Sequence, residues 1–427
     1  MTHQLKHSLF SSDSHPNHAL VIGGGMAGLI AAHVLSGTFD QVTIVDRDRL
    51  SDKPEVRQGV PQARHPHTLM VRGQEILEQH FPGLTAELIA QGARPIDASR
   101  EVAFYVAGQW RTPRRHVDTM SVAMSRPLLE ATIYRRVVAN PRIEIIHAHD
   151  VTRLTVDVER KHVTGVYMRD RAGAPSAEKR VPANLVLDAS GRYSRVPQWL
   201  QGLGYEPPVE ITVNAFTGYS TRLYRRPVDF AEDWQAMYIR PTLLTGSRGG
   251  MIIPAEGNRW IVALIGMNGD FPPTDEAGYM EFAHSLPTSK LYEAIRQAEP
   301  LTKPIGYRRT ENRLRRYDQL PRYLEGLLVY GDAVCALNPV HAHGITAAAT
   351  GSLALSESLQ THFAHHAAGD IDGLATAFQK QLGKSLADLW HSIFNEDRRW
   401  PQAEVTTSEV LRSDHRSRAG APVAALS

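Results

Sequence analysis

The hydrophobic positions of this chain change period several times, and each change marks an element. A short apolar run at 19–22 meets three glycines, and an alanine-rich apolar segment then reaches Leu35. That order predicts a strand, a tight turn and a helix. A second run at 41–45 predicts another strand, ending at Asp46. Leu69, Arg72, Gly73, Ile76 and Leu77 fall at helical spacing, so a helix is expected from about His65 to His80, stopped by Pro82-Gly83. Strands are expected at 102–106, around Trp110 and at 119–124. Ser125 then caps a helix with Pro127 in its first turn. Three short strands follow at 143–146, 151–156 and 163–168, with a polar hairpin tip at 169–179. A buried-type strand at 184–187 ends in Asp188-Ala-Ser-Gly191-Arg192.

From about 207 to 266 the pattern becomes long, alternating and aromatic-rich, which predicts antiparallel strands at 211–224 and 234–240 and a hairpin of 248–254 with 258–266. A sheet of this kind interrupting an α/β chain predicts a second domain. Phe216, Tyr219, Trp234, Met237, Tyr238 and Met251 are its candidates for an apolar pocket, although such residues are more often plain core. Helices are expected at 275–285 and 290–298, and the basic stretch 308–322 reads as a solvated face with a strand edge. A last buried strand ends in Gly331-Asp332. The run Asn338-Pro339-Val-His341-Ala-His343-Gly344-Ile345 then leads into a helix reaching about His362, and a final helix is expected at 374–395.

The stretch 19–46 carries the clearest chemistry. Gly23, Gly25 and Gly28 fit G-x-G-x-x-G: the first permits the turn, the second lets backbone approach a pyrophosphate, and the third lets the helix pack close to the strand. Met26 and Ala27 open the helix, whose unpaired N–H groups and dipole favour phosphate. Asp46 stands eighteen residues after Gly28, where a carboxylate accepts hydrogen bonds from ribose hydroxyls; Arg47 follows it. Arg57, Arg64, His65 and His67 crowd the approach to the next helix and read either as phosphate partners or as a solvated loop.

The totals narrow the class. With 427 residues, two domains or one with a large insertion are expected. A net charge of +2 gives no reason to expect nucleic acid or a membrane surface as partner. One cysteine, Cys335, excludes an intrachain disulfide and a thiolate metal cluster; the twenty histidines form no strong metal signature, and no metal is expected. The apolar segment 19–35 is too short and glycine-interrupted for a membrane span, so a cytoplasmic location is the expectation.

Three separated elements line up: Gly23-x-Gly25-x-x-Gly28 with Asp46, Asp188-Ala-Ser-Gly191, and Gly331-Asp332 followed by Asn338-Pro339 and a helix. Together they resemble the group A FAD-dependent monooxygenases of the para-hydroxybenzoate hydroxylase fold. The stretch Arg57-Gln-Gly-Val-Pro-Gln-Ala-Arg-His-Pro-His-Thr-Leu is most similar to the branch containing the polyether epoxidases. The resemblance covers roughly residues 18–400 and implies an α/β fold: a Rossmann-like FAD-binding domain with an inserted antiparallel β-sheet substrate domain and C-terminal helices. It divides that stretch into a discontinuous FAD-binding domain (18–95, 125–205 and 305–365), a substrate domain (96–124 and 206–304) and a C-terminal helix (366–402); the polar ends 1–17 and 403–427 read as a flexible arm and a disordered tail.

The same resemblance implies that Asp332 holds ribityl hydroxyls and that the helix after Gly344 and Ile345 faces the flavin pyrimidine ring. It also implies that Arg126 reaches the cofactor, and that the Asp188–Gly191 turn lies near the pyrophosphate. Val151 and Gly331 join the cofactor set; Phe216, Tyr219, Met237, Met251 and Pro339 form the substrate set; and His343 and His341 are the catalytic candidates. Asp46 replaces the more frequent glutamate, and Ala342 and His343 replace the family's glycine and glutamine. The Trp-x-Trp-x-Ile-Pro run of flavin halogenases is absent, which argues against halogenation. The implied reaction is transfer of one oxygen atom from O2 to an apolar small molecule through a flavin C4a-(hydro)peroxide. NAD(P)H or a partner reductase would donate electrons. The rival readings are a reductase or dehydrogenase of an isoprenoid-like substrate and a non-redox flavoprotein cyclase.

Overall fold

The structure, a computed structural model, describes residues 17–111, 120–172, 177–367 and 369–408. Most of the expected arm, Thr119, the middle of the hairpin tip and the tail beyond 408 lie outside the described residues.

Five parallel strands run in the order Leu327–Val329, Leu185–Asp188, His18–Ile22, Gln41–Val45 and Ile143–Ile146. Their inner members are almost wholly buried, as continuous Val/Ile/Leu runs must be when helices cover both faces. The register pairs Ile22 with Asp188 and with Val45, and Asp188 with Val329. Because these strands are parallel, the residues that follow them emerge along one edge: Gly23, Asp46, Ala189 and Tyr330-Gly331. Motifs far apart in sequence are thereby gathered where open α/β sheets take their ligands. The helices Met26–Leu35 and Gly344–Phe363 pack together behind this edge, and Leu374–Asp397 lies against the second of them.

A seven-stranded sheet faces that edge, in the order Ile305–Tyr307, Gly218–Arg225, Arg259–Gly266, Arg248–Ala255, Ala236–Ile239, Val102–Val106 and Gln109–Trp110. Its strands alternate strictly. Met237, Ile252, Val262 and Leu264 pack on one side under the helices Glu276–His284 and Lys290–Ile295. Tyr238, Met251 and Ala263, one residue along, face the other way. Met237 is therefore core rather than pocket, and Trp234 packs in the same core. Adjacent strand residues cannot share a face.

Several elements differ from expectation. The helix expected from His65 begins at Val71, because Pro66 holds His65 extended and a 3-10 turn, Pro61–Arg64, precedes it. The run 211–224 splits into Glu210–Asn214 and Gly218–Arg225, which join different sheets, and Phe216 sits in the break with φ +48°. The expected disordered tail contributes the strand Glu404–Thr407, paired with Glu210–Asn214 from Ile211 to Thr407. Its side chains are exposed, so backbone pairing rather than burial holds it. Ile305–Tyr307 joins the large sheet beside Tyr219. In the basic stretch Arg315 is buried, donating to the Ala333 carbonyl at 2.9 Å and to Glu210 at 2.9 Å.

Candidate active site

A cavity of about 640 Å³ is lined by the edge of the parallel sheet and by the inner face of the seven-stranded sheet. On the first side lie Gly23, Gly25, Met26, Ala27, Asp46 and Arg47. Gly25 precedes the Met26–Leu35 helix, and a Cβ built on it would meet nothing within 4 Å. The space a side chain would take is open to a ligand. At Gly28 a Cβ would stand 1.8 Å from the Gly23 carbonyl oxygen, so this glycine shapes the turn without lining the cavity. Asp46 accepts from the backbone N–H of Gly24 at 2.5 Å and of Asp48 at 2.8 Å, which aims the carboxylate at the turn. Arg57 donates to Glu130 and, at 3.0 Å, to the Gly24 carbonyl, and it approaches Asp46 at 3.4 Å. Arg126 completes the cluster through Glu130 at 3.4 Å. Glu130 thus stands between two arginines that both line the cavity, four residues beyond Arg126 on one helix.

Val151 and Gly191 also line the cavity, whereas Asp188 and Gly331 do not. Asp188 is fully buried beneath its turn, accepting from the Ser194 hydroxyl at 2.5 Å and the Ser190 N–H at 3.1 Å; burial raises its pKa. It holds the turn rather than a ligand. Asp332 does reach the cavity wall, and no described residue hydrogen-bonds its carboxylate. Burial pushes its pKa up, with Arg192 and Arg126 acting against the rise. A carboxylate held without partners at a cavity wall is a seat for ligand hydroxyls. The open cradle at Gly25 and this unpartnered acceptor fit the two ends of an FAD.

The loop that precedes the Gly344–Phe363 helix is held by side chains. Asn338 donates to Asp397 at 2.8 Å and to Thr217 at 2.9 Å, while its N–H donates to Asn312 at 2.6 Å. Asn312 donates to the same Asp397 oxygen at 2.6 Å, and His341 Nε2 meets the other at 2.8 Å. Asp397 has no exposed surface. Pro339, Ala342, Gly344 and Ile345 line the cavity; His341 and His343 do not. His341 turns away to Asp397. His343 keeps a buried Nδ1 with no partner among the described residues, and burial followed by the neighbouring His341 lowers its pKa. The expectation that these two histidines face the reacting ring is corrected by the left-handed backbone at Ala342, φ +57°, which presents that residue instead.

On the sheet side the lining includes Tyr219, Met251, Ala263 and Tyr307, whereas Phe216 is not part of it. His65 and His67 enter from the extended segment before the Val71–His80 helix. Arg126 donates to His67 Nε2 at 3.3 Å, so the proton is on Nδ1, which donates to the His65 carbonyl at 2.9 Å. Burial, then Arg126, lowers the His67 pKa to about 3; burial, then Arg64, lowers that of His65 to about 4. Sequence reasoning missed Glu130, Ala263, Arg192 and Tyr307. Only Glu130 carried a signal, as a carboxylate four residues after an arginine on an otherwise apolar helix face. Away from the cavity His362, His366 and Asp370 come together, but they bond one another: His362 to the Asp370 carbonyl at 2.8 Å and His366 to its carboxylate at 3.1 Å. Among the described residues no helix is long and apolar enough to cross a membrane.

The cavity, its glycine cradle and the parallel sheet edge make a dinucleotide-binding site. Residues 17–377 match the FAD binding domain family, and the chain belongs to it. The protein is an FAD-dependent oxidoreductase and FAD is its cofactor. Protein Rv3254 of Mycobacterium tuberculosis is 31% identical over 381 residues, 88% of this chain and 78% of that protein. Among solved structures, the myxobacterial chondrochloren halogenase CndH aligns with a TM-score of 0.66 and 16% identity, over 89% of this chain and 82% of its own. The probable FAD-dependent monooxygenase pqsL of Pseudomonas aeruginosa aligns at 0.60 and 16%, over 90% and 98%. At such identities these likenesses establish the fold.

Proposed function

We propose that the protein is a flavin monooxygenase that delivers one oxygen atom of O2 to an apolar small molecule, by epoxidation or hydroxylation, in the branch that contains the polyether epoxidases. NAD(P)H or a partner reductase supplies the electrons. The observation that carries this reading is the two-sided cavity: one wall offers phosphate- and hydroxyl-binding groups, and the opposite wall offers Tyr219, Met251 and Ala263. FAD, when bound, supplies the redox chemistry and the activation of dioxygen. In this reading Gly25 and the start of the Met26–Leu35 helix bind the pyrophosphate, Asp46 the ribose and Asp332 the ribityl chain. The N–H groups that open the Gly344–Phe363 helix stabilise negative charge on the ring they face. The sheet wall orients the substrate and excludes water.

The test is oxygen uptake by the yellow, FAD-loaded protein with NADH, NADPH or a reductase, in extracts of the source organism followed by mass spectrometry. A product heavier by one oxygen, formed with matching oxygen consumption, is expected. Saturation of a double bond without oxygen uptake would identify a reductase or dehydrogenase instead, and an isomer formed without any reductant would identify a cyclase.

A further inference from the structure

His65 is buried, with 7% of its surface exposed, yet it lines the cavity between the rings of Tyr307 and Tyr219, at 5.3 and 6.2 Å. Its Nδ1 lies 2.8 Å from the Thr221 hydroxyl. Thr221 is itself 2% exposed, and its hydroxyl has no other acceptor among the described residues. A buried hydroxyl proton without an acceptor is costly, so Thr221 donates to Nδ1. In a neutral imidazole the proton then sits on Nε2, which has no partner among the described residues. Burial, with Arg64 nearby, keeps the ring neutral at ordinary pH. On the sheet that carries Thr221, its cross-strand neighbour Ala263 and then Met251 continue the cavity lining, which also includes Val340 and the two tyrosine rings.

We propose that His65 presents its Nε2–H as a hydrogen-bond donor to the substrate, so that the molecule this cavity takes is an apolar compound bearing a carbonyl or phenolic oxygen. Naming that ligand a substrate rests on the monooxygenase reading. The donor orients the apolar body by its one polar atom and leaves the rest against Met251 and Ala263. Thr221 is a positioning residue, acting through the tautomer it imposes on His65.

The experiment titrates the FAD-loaded protein with matched probes, naphthol against naphthalene and acetylnaphthalene against ethylnaphthalene, and reads binding from the perturbed flavin absorption. The oxygenated member of each pair should bind about tenfold or more tightly, the worth of one well-made hydrogen bond. His65→Phe should erase that preference, and His65→Gln should restore part of it. Thr221→Val, which keeps the ring but frees its tautomer, should reduce the preference without loss of flavin, and it tests the idea should His65→Phe fail to fold. Equal binding of paired probes, no binding of either oxygenated probe, or a preference that survives in folded His65→Phe (or in Thr221→Val, where His65→Phe does not fold) overturns the proposal. So does a shift in FAD affinity or reduction potential in His65→Phe with probe preference intact, since the donor would then serve a flavin oxygen. Probe binding of the expected kind without any oxygen transfer leaves this inference standing and removes only the monooxygenase reading.

Discussion

The two turns that border the cofactor end of the cavity are built in opposite ways. The turn at 23–28 has few side chains of its own: Gly23 donates to the Val45 carbonyl at 2.8 Å, Gly28 lies against the Gly23 carbonyl, and Asp46 and Arg57 reach the backbone of Gly24. The loop at 338–344 is held by side chains from elsewhere, Asn312, Thr217 and above all Asp397, 59 residues beyond Asn338. The first turn is hydrogen-bonded by partners 22 to 33 residues away, the second by partners up to 121 residues away. Their tolerance of substitution should differ accordingly.

The largest effect is expected in the glycine turn, where two neighbouring positions should fail differently. Gly25→Val should leave a folded, colourless protein that binds FAD about a hundredfold or more weakly, because the added side chain meets ligand space rather than protein. Gly28→Ala should instead lose soluble folded protein, since its Cβ would stand 1.8 Å from a backbone oxygen. Circular dichroism and FAD titration separate the two outcomes; if both variants fold and stay yellow, this account of the turn is wrong.

In the second loop, Asp397→Leu should cost about 3 kcal/mol or more in urea unfolding, because it strands the side-chain donors of Asn312, Asn338 and His341. The loss should extend to FAD retention even though Asp397 touches no cavity space. A variant with normal stability would show that the loop is held by its backbone alone.

Asp332→Ala sharpens the contrast from the ligand side. It removes a carboxylate that no described residue hydrogen-bonds, so the fold should keep its stability while FAD binding weakens by about 1.5–3 kcal/mol. Unchanged flavin content on dilution would reduce Asp332 to a turn former.

The segment that brings His65 and His67 to the cavity makes a smaller, pH-dependent contribution. Both rings have folded pKa values, about 4 and about 3, below the ordinary 6.5. The unfolded chain therefore binds more protons between those values and 6.5, so stability is full above pH 6.5 and is lost as pH falls through that window. The slope is up to about 1.4 kcal/mol per pH unit for each ring. Urea midpoints measured from pH 7 to pH 5 should fall more steeply in the wild type than in a His67→Gln variant; equal slopes would mean that His67 titrates normally.

The smallest effect belongs to His343→Ala. Its ring has no partner at Nδ1 among the described residues and lies outside the cavity lining, so stability should change by no more than about 0.5 kcal/mol. In the proposed reaction, the share of NAD(P)H oxidation that ends in hydrogen peroxide should be unchanged. A marked rise in that share would return His343 to the chemistry.

Much of the cofactor side was legible because its chemistry depends on backbone shape. A strand, a glycine turn and a helix occur in immediate succession, and parallel strands deliver Asp46 and Asp332 to the same edge whatever the rest of the chain does. Tyr219, Met251 and Pro339 were found at the cavity for a weaker reason, since an aromatic-rich alternating segment offers candidates on both faces. Met237 illustrates the limit: strand period two says that Met237 and Tyr238 face opposite ways, but not which of them lies under the helices, and neither lines the cavity. That was decided by the helices Glu276–His284 and Lys290–Ile295, which cover the Met237 side.

The succession of elements, and the placement of the groups carried on it, can be read from the residues alone: the Gly23–Gly28 turn, Asp46 and the Gly-Asp strand end. Tertiary structure alone decided the partners. It turned His341 to Asp397, left Asp332 at the wall with no hydrogen bond from a described residue, set Glu130 between two arginines, and gave His65 its tautomer through Thr221, 156 residues away. The physical reason is range. Strand and helix periods are set by neighbours a few residues away, whereas a side-chain hydrogen bond depends on which surfaces the folded chain brings within 3 Å or so.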